Sequence, residues 1–189
     1  MNRILKSVSV VLAAATLAAC GGSSGPDMGA VLDRTAKALA AFQNHLQKQG
    51  VAKATSQHMT QLTGFLHRVM NVDPPVHTGA VGIKLLKDAK FEGFDDANKD
   101  NVQDIGDKRL FTLEVDFDGK RLIATGQKGT STGLGLGGGL LTGMLLGRML
   151  SSQRAAGIGP GHFANRNVQP RSSYRARSRS RSGGLFRGK

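Results

Sequence analysis

Phe111-Thr-Leu-Glu-Val-Asp-Phe-Asp118-Gly119-Lys-Arg121-Leu-Ile-Ala-Thr125 decides the fold. Phe111, Leu113, Val115 and Phe117 recur at every second position, so in an extended chain they share one face. Asp118-Gly119 then offers a tight reversal, and Arg121-Leu-Ile-Ala-Thr125 returns as a second β-forming run. Apolar alternation into Asp-Gly and out again predicts a β-hairpin.

Upstream, Val81-Gly-Ile-Lys-Leu-Leu86 also reads as a strand. Further upstream the period changes from two to about 3.6. Met28, Leu32, Thr35, Leu39, Phe42 and Leu46 step by 4, 3, 4, 3, 4 behind Asp27, a side chain suited to an N-cap, and Gly50 is placed to end the helix. Met59, Leu62, Leu66 and Val69 step by 3, 4, 3 before Pro74-Pro75. The expected architecture is α+β, with an N-terminal helical hairpin and a small antiparallel sheet over residues 27–128.

Charge divides the chain. Residues 1–118 hold 13 basic and 13 acidic residues, whereas 119–189 hold 13 basic residues and no acid, so the net charge of +13 belongs to the C-terminal part. Two readings follow for that part. Residues 129–150 include nineteen consecutive uncharged residues, with Gly135, Gly139, Gly143 and Gly147 at four-residue steps. On one helix these form a side-chain-free stripe suited to membrane insertion or to close helix packing and self-association. The alternative is a flexible linker, because each glycine opposes a helix by about 1 kcal/mol relative to Ala. Residues 151–189 show no apolar period, and Arg171, Arg175, Arg177, Arg179 and Arg181 are spaced mostly by Ser, which predicts a disordered, polyanion-binding tail.

Cys20 is the one cysteine, so an internal disulfide is excluded. It follows Arg3, Lys6 and a thirteen-residue uncharged run from Ser7 to Ala19, the pattern of a secretory signal. Leu17-Ala18-Ala19-Cys20-Gly21 resembles the lipobox of bacterial lipoproteins. That resemblance covers residues 1–21. It implies cleavage after residue 19, covalent lipid on Cys20, a tether at 20–26 and attachment to a membrane. Gly21 in place of Asp implies sorting to the outer membrane, facing the periplasm, over inner-membrane retention.

Asp96-Ala-Asn98-Lys-Asp100-Asn-Val102-Gln-Asp104-Ile-Gly-Asp107 places side-chain oxygens at positions 1, 3, 5, 9 and 12. Hard cations such as Ca2+ take six to eight oxygens, and this spacing wraps a loop round one ion. The string resembles the calcium loops of bacterial surface-adhesin B domains and, more loosely, dockerins. The resemblance implies Asp96, Asn98, Asp100, the Val102 carbonyl, Asp104 and Asp107 as Ca2+ ligands. Asn101 departs from the turn glycine and Asp107 from the longer Glu. The competing reading is a solvated polar loop with Asx turns. The stretch 135–147 resembles the glycine-zipper segments of envelope lipoproteins.

No Gly-x-Ser-x-Gly elbow occurs, and His45, His58, His67, His77 and His162 lack metal-ligand spacing. Gly133-Leu-Gly135-Leu-Gly137-Gly138 opens no βαβ unit, so it is not a dinucleotide fingerprint. The expectation is therefore a non-catalytic cell-envelope lipoprotein with an interaction role. Its tail would meet polyanions such as lipopolysaccharide. The alternatives are a lipid-tethered nucleic-acid-binding protein and a small envelope enzyme. Few aromatics accompany the arginines, which leaves phosphate contacts without stacking platforms.

Overall fold

The computed structural model describes residues 25–173. Two helices come first, α1 (Met28–Lys48) and α2 (Ser56–Asn71). Five strands follow: β1 (Val81–Leu85), β2 (Phe91–Asp95), β3 (Arg109–Asp116), β4 (Arg121–Gly126) and β5 (Ser131–Gly135). A four-residue α3 (Gly138–Leu141), α4 (Met144–Ala155), a short β6 (Val168–Pro170) and a 3-10 turn (Arg171–Ser173) complete the order of described elements. The fold is α+β, with one six-stranded sheet in the order β1-β2-β3-β4-β5-β6. Neighbours are antiparallel except β5 and β6, which run parallel.

Local chemistry accounts for the helices. The Asp27 carboxylate accepts from the Ala30 N–H at 3.0 Å, and Gly50 leaves α1 at φ +72°. Thr55 and His58 form a reciprocal capping box at the start of α2. Of the apolar stripe on α1, Leu32, Leu39 and Leu46 are buried and Phe42 is half-buried. Arg34 of α1 donates to the Val69 carbonyl at 2.8 Å and the Val72 carbonyl at 3.1 Å, and also reaches the Pro74 carbonyl. One guanidinium thus satisfies carbonyls that the end of α2 leaves open.

The β3–β4 hairpin forms as its alternation predicts, with Asp116 opposite Arg121. Its turn differs in detail. The left-handed residue is Lys120, at φ +48°, and Gly119 instead gives its N–H to Asp116 Oδ1 at 2.8 Å. A Cβ on Gly119 would stand 2.4 Å from that carboxylate, so the close approach is what requires glycine.

Strand alternation gives the sheet two unlike faces. Leu113, Val115, Leu122 and Ala124 join Leu32, Leu39, Leu62, Leu66, Leu145 and Met149 in the main core beneath the helices. Ile123 points the other way and packs with Ile158, Phe163 and Val168 from the segment after α4.

The fold therefore does not end at residue 128. Gly135, Gly139, Gly143 and Gly147 share no single helix: they lie respectively in β5, in α3, at the N-cap of α4 and inside α4. β4 has β3 on one side and would carry unpaired backbone groups on the other, and β5 satisfies them. α4 then returns Leu145, Leu146 and Met149, all at most 1% exposed, to the core. Among the described residues no helix is long and apolar enough to cross a membrane.

The tail expectation is also corrected for residues 151–173, which are packed. Gln153 donates to the Val115 carbonyl at 3.0 Å, and β6 pairs with β5. Ile158, Phe163 and Val168 follow no helical or strand period, yet each fills a place on the second sheet face.

Candidate functional site

The polar string from Asp96 to Asp107 connects β2 to β3. Its stem is closed by hydrogen bonds from Asp95 N to Lys108 O at 2.9 Å and from Asp96 N to Ala80 O at 3.0 Å. Lys99, Asn101 and Gly106 take left-handed conformations at φ +65°, +59° and +112°. Asn is among the side chains that tolerate this region best, so Asn101 performs the turn for which glycine was expected.

Inside the loop, side-chain oxygens accept from nearby backbone. Asn101 N donates to Asp96 Oδ2 at 2.8 Å, Asp100 N to Asn98 Oδ1 at 3.3 Å, and Val102 N to Asp100 Oδ1 at 2.7 Å. The Asn98 amide nitrogen donates to Asp100 Oδ2 at 3.1 Å and to Asp104 Oδ2 at 2.9 Å. One amide nitrogen thus bridges the Asp100 and Asp104 carboxylates. Asp107 Oδ2 accepts from Asp104 N at 2.9 Å, closing the last turn.

Asp96 stands apart. It is 0% exposed, and among the described residues its Oδ1 has no hydrogen-bond partner. A buried carboxylate oxygen without a partner is costly, by several kcal/mol in general. Its sister oxygen already faces into the loop through the Asn101 N–H. Among the described residues, no three carboxylate, imidazole or thiol groups are gathered closely enough to hold a metal ion. The loop thus brings Asp96, Asn98, Asp100 and Asp104 into one hydrogen-bonded turn system but does not draw their carboxylates to a single point.

Side chains fasten this loop to the sheet. Asn101 Oδ1 accepts from Ile83 N of β1 at 2.8 Å. Gln103 donates to Glu92 at 3.1 Å and accepts from Lys84 at 3.3 Å. Beside it lies an open groove of about 560 Å3, lined by Thr60, Thr63 and Gly64 of α2, Leu85 of β1, Phe94 of β2 and Val102. Val102 and Ile105 are exposed, at 57% and 108%.

A second concentration of charge lies on the other sheet face. Glu114, 3% exposed, pairs with Arg166 and lies 3.3 Å from Lys90 Nζ. Arg166 also donates to Thr125 at 2.7 Å and to Ser131 at 3.3 Å. Burial alone would lower the Lys90 ammonium's pKa. Its hydrogen bond to Asp88 and the charges of Glu114 and Asp88 outweigh that, so the pKa lies above its ordinary 10.5. Every buried charge here has a partner, which marks a structural network.

The remaining sequence-derived positions fall as follows. Arg171 is engaged with Asp33, Nε to Oδ1 at 3.2 Å and Nη2 to Oδ2 at 2.7 Å, so it fastens the turn after β6 to α1 and is not an open anion contact. Cys20, Arg175, Arg177, Arg179 and Arg181 lie outside the described residues. The histidines serve separate local tasks: His58 caps α2, His67 reaches the Val81 carbonyl at 2.9 Å, and His162 meets Phe163 edge-on at 4.8 Å. Sequence reasoning missed the second role of Asn101, which caps the backbone of β1 at Ile83. Asn at the turn position was a visible departure, but the strand it caps is distant in sequence. No protein-family model, curated protein sequence or solved structure matches this chain.

Proposed function

We propose that the chain is a non-catalytic cell-envelope lipoprotein, held at the membrane by acyl groups on Cys20, whose α+β domain carries a Ca2+-stabilised interaction loop at 96–107. The observation that supports the loop reading is the fully buried, unpartnered Oδ1 of Asp96 at the first position of a string with the spacing of an oxygen-ligand loop. Asp96, Asn98, Asp100, the Val102 carbonyl and Asp104 would hold the ion. Bound Ca2+ supplies the positive charge that this carboxylate lacks and that Asp100 and Asp104 now take from an amide. Turning the Asn98 amide by 180° gives up the long bond its oxygen accepts from Asp100 N and exchanges nitrogen for oxygen, which converts a donor to two carboxylates into a ligand beside them. Asp107, turned toward the Asp104 N–H, closes the loop without joining the other carboxylates. The arginines at 175, 177, 179 and 181 are proposed to meet phosphate-rich surfaces such as lipopolysaccharide.

Calorimetry and thermal denaturation of the intact chain in detergent test the loop. Millimolar Ca2+ is expected to give binding heat and to raise Tm, because a ligand bound to the folded state alone stabilises it by about 2.7 kcal/mol at one hundred times Kd. Asp100→Ala, at an exposed position, should abolish both effects while leaving the fold intact. Absence of heat at millimolar Ca2+ would leave a solvated polar loop. The anchor is tested separately: Cys20→Ala is expected to abolish palmitate labelling, and unchanged labelling refutes it.

A further inference from the structure

Among the described residues β1 is the outermost strand on its side of the sheet, and its outer N–H and C=O groups have no strand partner there. Side chains take that place. Asn71, at the end of α2, donates to the Val81 carbonyl at 2.9 Å and accepts from Val81 N at 2.8 Å, as a neighbouring peptide would. Two residues on, Ile83 N donates to Asn101 Oδ1 at 2.8 Å. The first cap is rooted in a helix with a buried apolar face. The second is rooted in the acidic loop, on the residue whose own N–H binds Asp96 Oδ2.

This arrangement explains why an asparagine stands at the turn. Glycine would make the left-handed bend at less cost, but it has no oxygen to offer Ile83. We infer that Asn101 couples cation binding in the 96–107 loop to protection of the outer edge of β1. The inference rests on the Ca2+ reading above. Without a cation, Asp96, Asp100 and Asp104 repel one another, and the backbone turn that presents Asn101 depends on N–H bonds to two of those same carboxylates, Asn101 N to Asp96 and Val102 N to Asp100. With a cation the three carboxylates are drawn together, the turn at Asn101 is fixed, and its side-chain oxygen stays on the Ile83 N–H. The ion thereby closes a backbone donor that would otherwise serve as a template for strand addition.

Amide hydrogen exchange on the intact chain, read at Ile83 and Val81 with and without Ca2+, tests the coupling, with calorimetry run in parallel. In the wild type Ca2+ is expected to slow exchange at Ile83 by at least about tenfold through suppression of local opening. Val81, capped from α2, serves as the internal control and should change less than about twofold. Asn101→Gly keeps the backbone donor to Asp96 but removes the cap, so Ca2+ should still give heat while Ile83 exchanges fast in both conditions. Heat in the wild type without slowing at Ile83 overturns the coupling and leaves the Ca2+ reading standing. Equal slowing at Ile83 and Val81 overturns it as well, since it reports only global stabilisation. Continued slowing at Ile83 in Asn101→Gly, or loss of heat in that variant, also overturns it. A wild type with no heat removes the Ca2+ reading and the coupling together.

Discussion

The two faces of the sheet are built from the same strands and held by different forces. Beneath the helices, β3 and β4 present Phe111, Leu113, Val115, Leu122 and Ala124, each at most 1% exposed, to leucines and methionines of α1, α2 and α4. On the other face the alternate residues include Glu114, Asp116, Arg121 and Thr125. There the segment from 156 to 170 is fastened by Arg166 to Glu114, Thr125 and Ser131, with only Ile123, Ile158, Phe163 and Val168 as apolar filling. The first face is cohesive because apolar area leaves water, which is non-directional and tolerant of exact placement. The second depends on particular donors meeting particular acceptors, so it is specific but fails when one partner is lost. The helical layer therefore makes the domain stable, and the C-terminal segment completes it by matching charge to charge.

The sharpest way to break this contrast is at Leu113. It is fully buried, and Leu113→Ala should cost about 3 kcal/mol through lost transfer energy and the cavity left behind. Urea denaturation of the intact chain reads this as a lowered midpoint. A cost below about 1 kcal/mol would mean that the helical layer collapses freely onto the gap and is not close-packed.

The polar face should respond less strongly, but with coupling. Arg166→Met leaves Glu114 with Lys90 alone and is expected to cost roughly 2 kcal/mol, less than the loss at a fully buried pair because Arg166 is partly solvated. Adding Glu114→Leu should recover much of it, since an unpaired buried charge is then removed. Strict additivity of the two changes in a double-mutant cycle would show that the pair is not a unit.

The smallest effects refine the helical layer through its glycines. At Gly143 an added Cβ would stand 1.6 Å from Gln43 Oε1 and displace that buried amide from its 3.4 Å bond to the Gly139 carbonyl, so Gly143→Ala should destabilise by about 1 kcal/mol. Gly147, in α4, has nothing within 4 Å of an added Cβ, and Gly147→Ala should stabilise by about 1 kcal/mol from helix propensity. Opposite signs in thermal melts separate one close-approach glycine from its open neighbour. Equal destabilisation would mean that Gly147 is also a close-approach position.

Much of the fold is written locally. The steps of three and four in α1 and α2, and the alternation through β3 and β4, bring apolar residues to one face within a few residues of each other, so no knowledge of distant chain is needed. The acidic loop is legible for the same reason, because its oxygens are spaced along one short turn. Residues 129–173 were not legible. Four-residue spacing of Gly135, Gly139, Gly143 and Gly147 has meaning only on one continuous helix, and the free side of β4 takes Ser131–Gly135 as a strand instead.

By itself, then, the sequence determined two amphipathic helices, a hairpin, the oxygen spacing at 96–107 and a lone cysteine in a lipobox-like string. Only the tertiary structure decided that Asp96 is buried with an unpartnered oxygen, that Asn101 caps β1, and that Arg166 and Arg171 are taken up by Glu114 and Asp33. The physical reason is the range of the interactions. Periodicity and turn chemistry act between neighbours in the chain, whereas desolvation and the pairing of strand edges depend on which distant groups arrive at the same place.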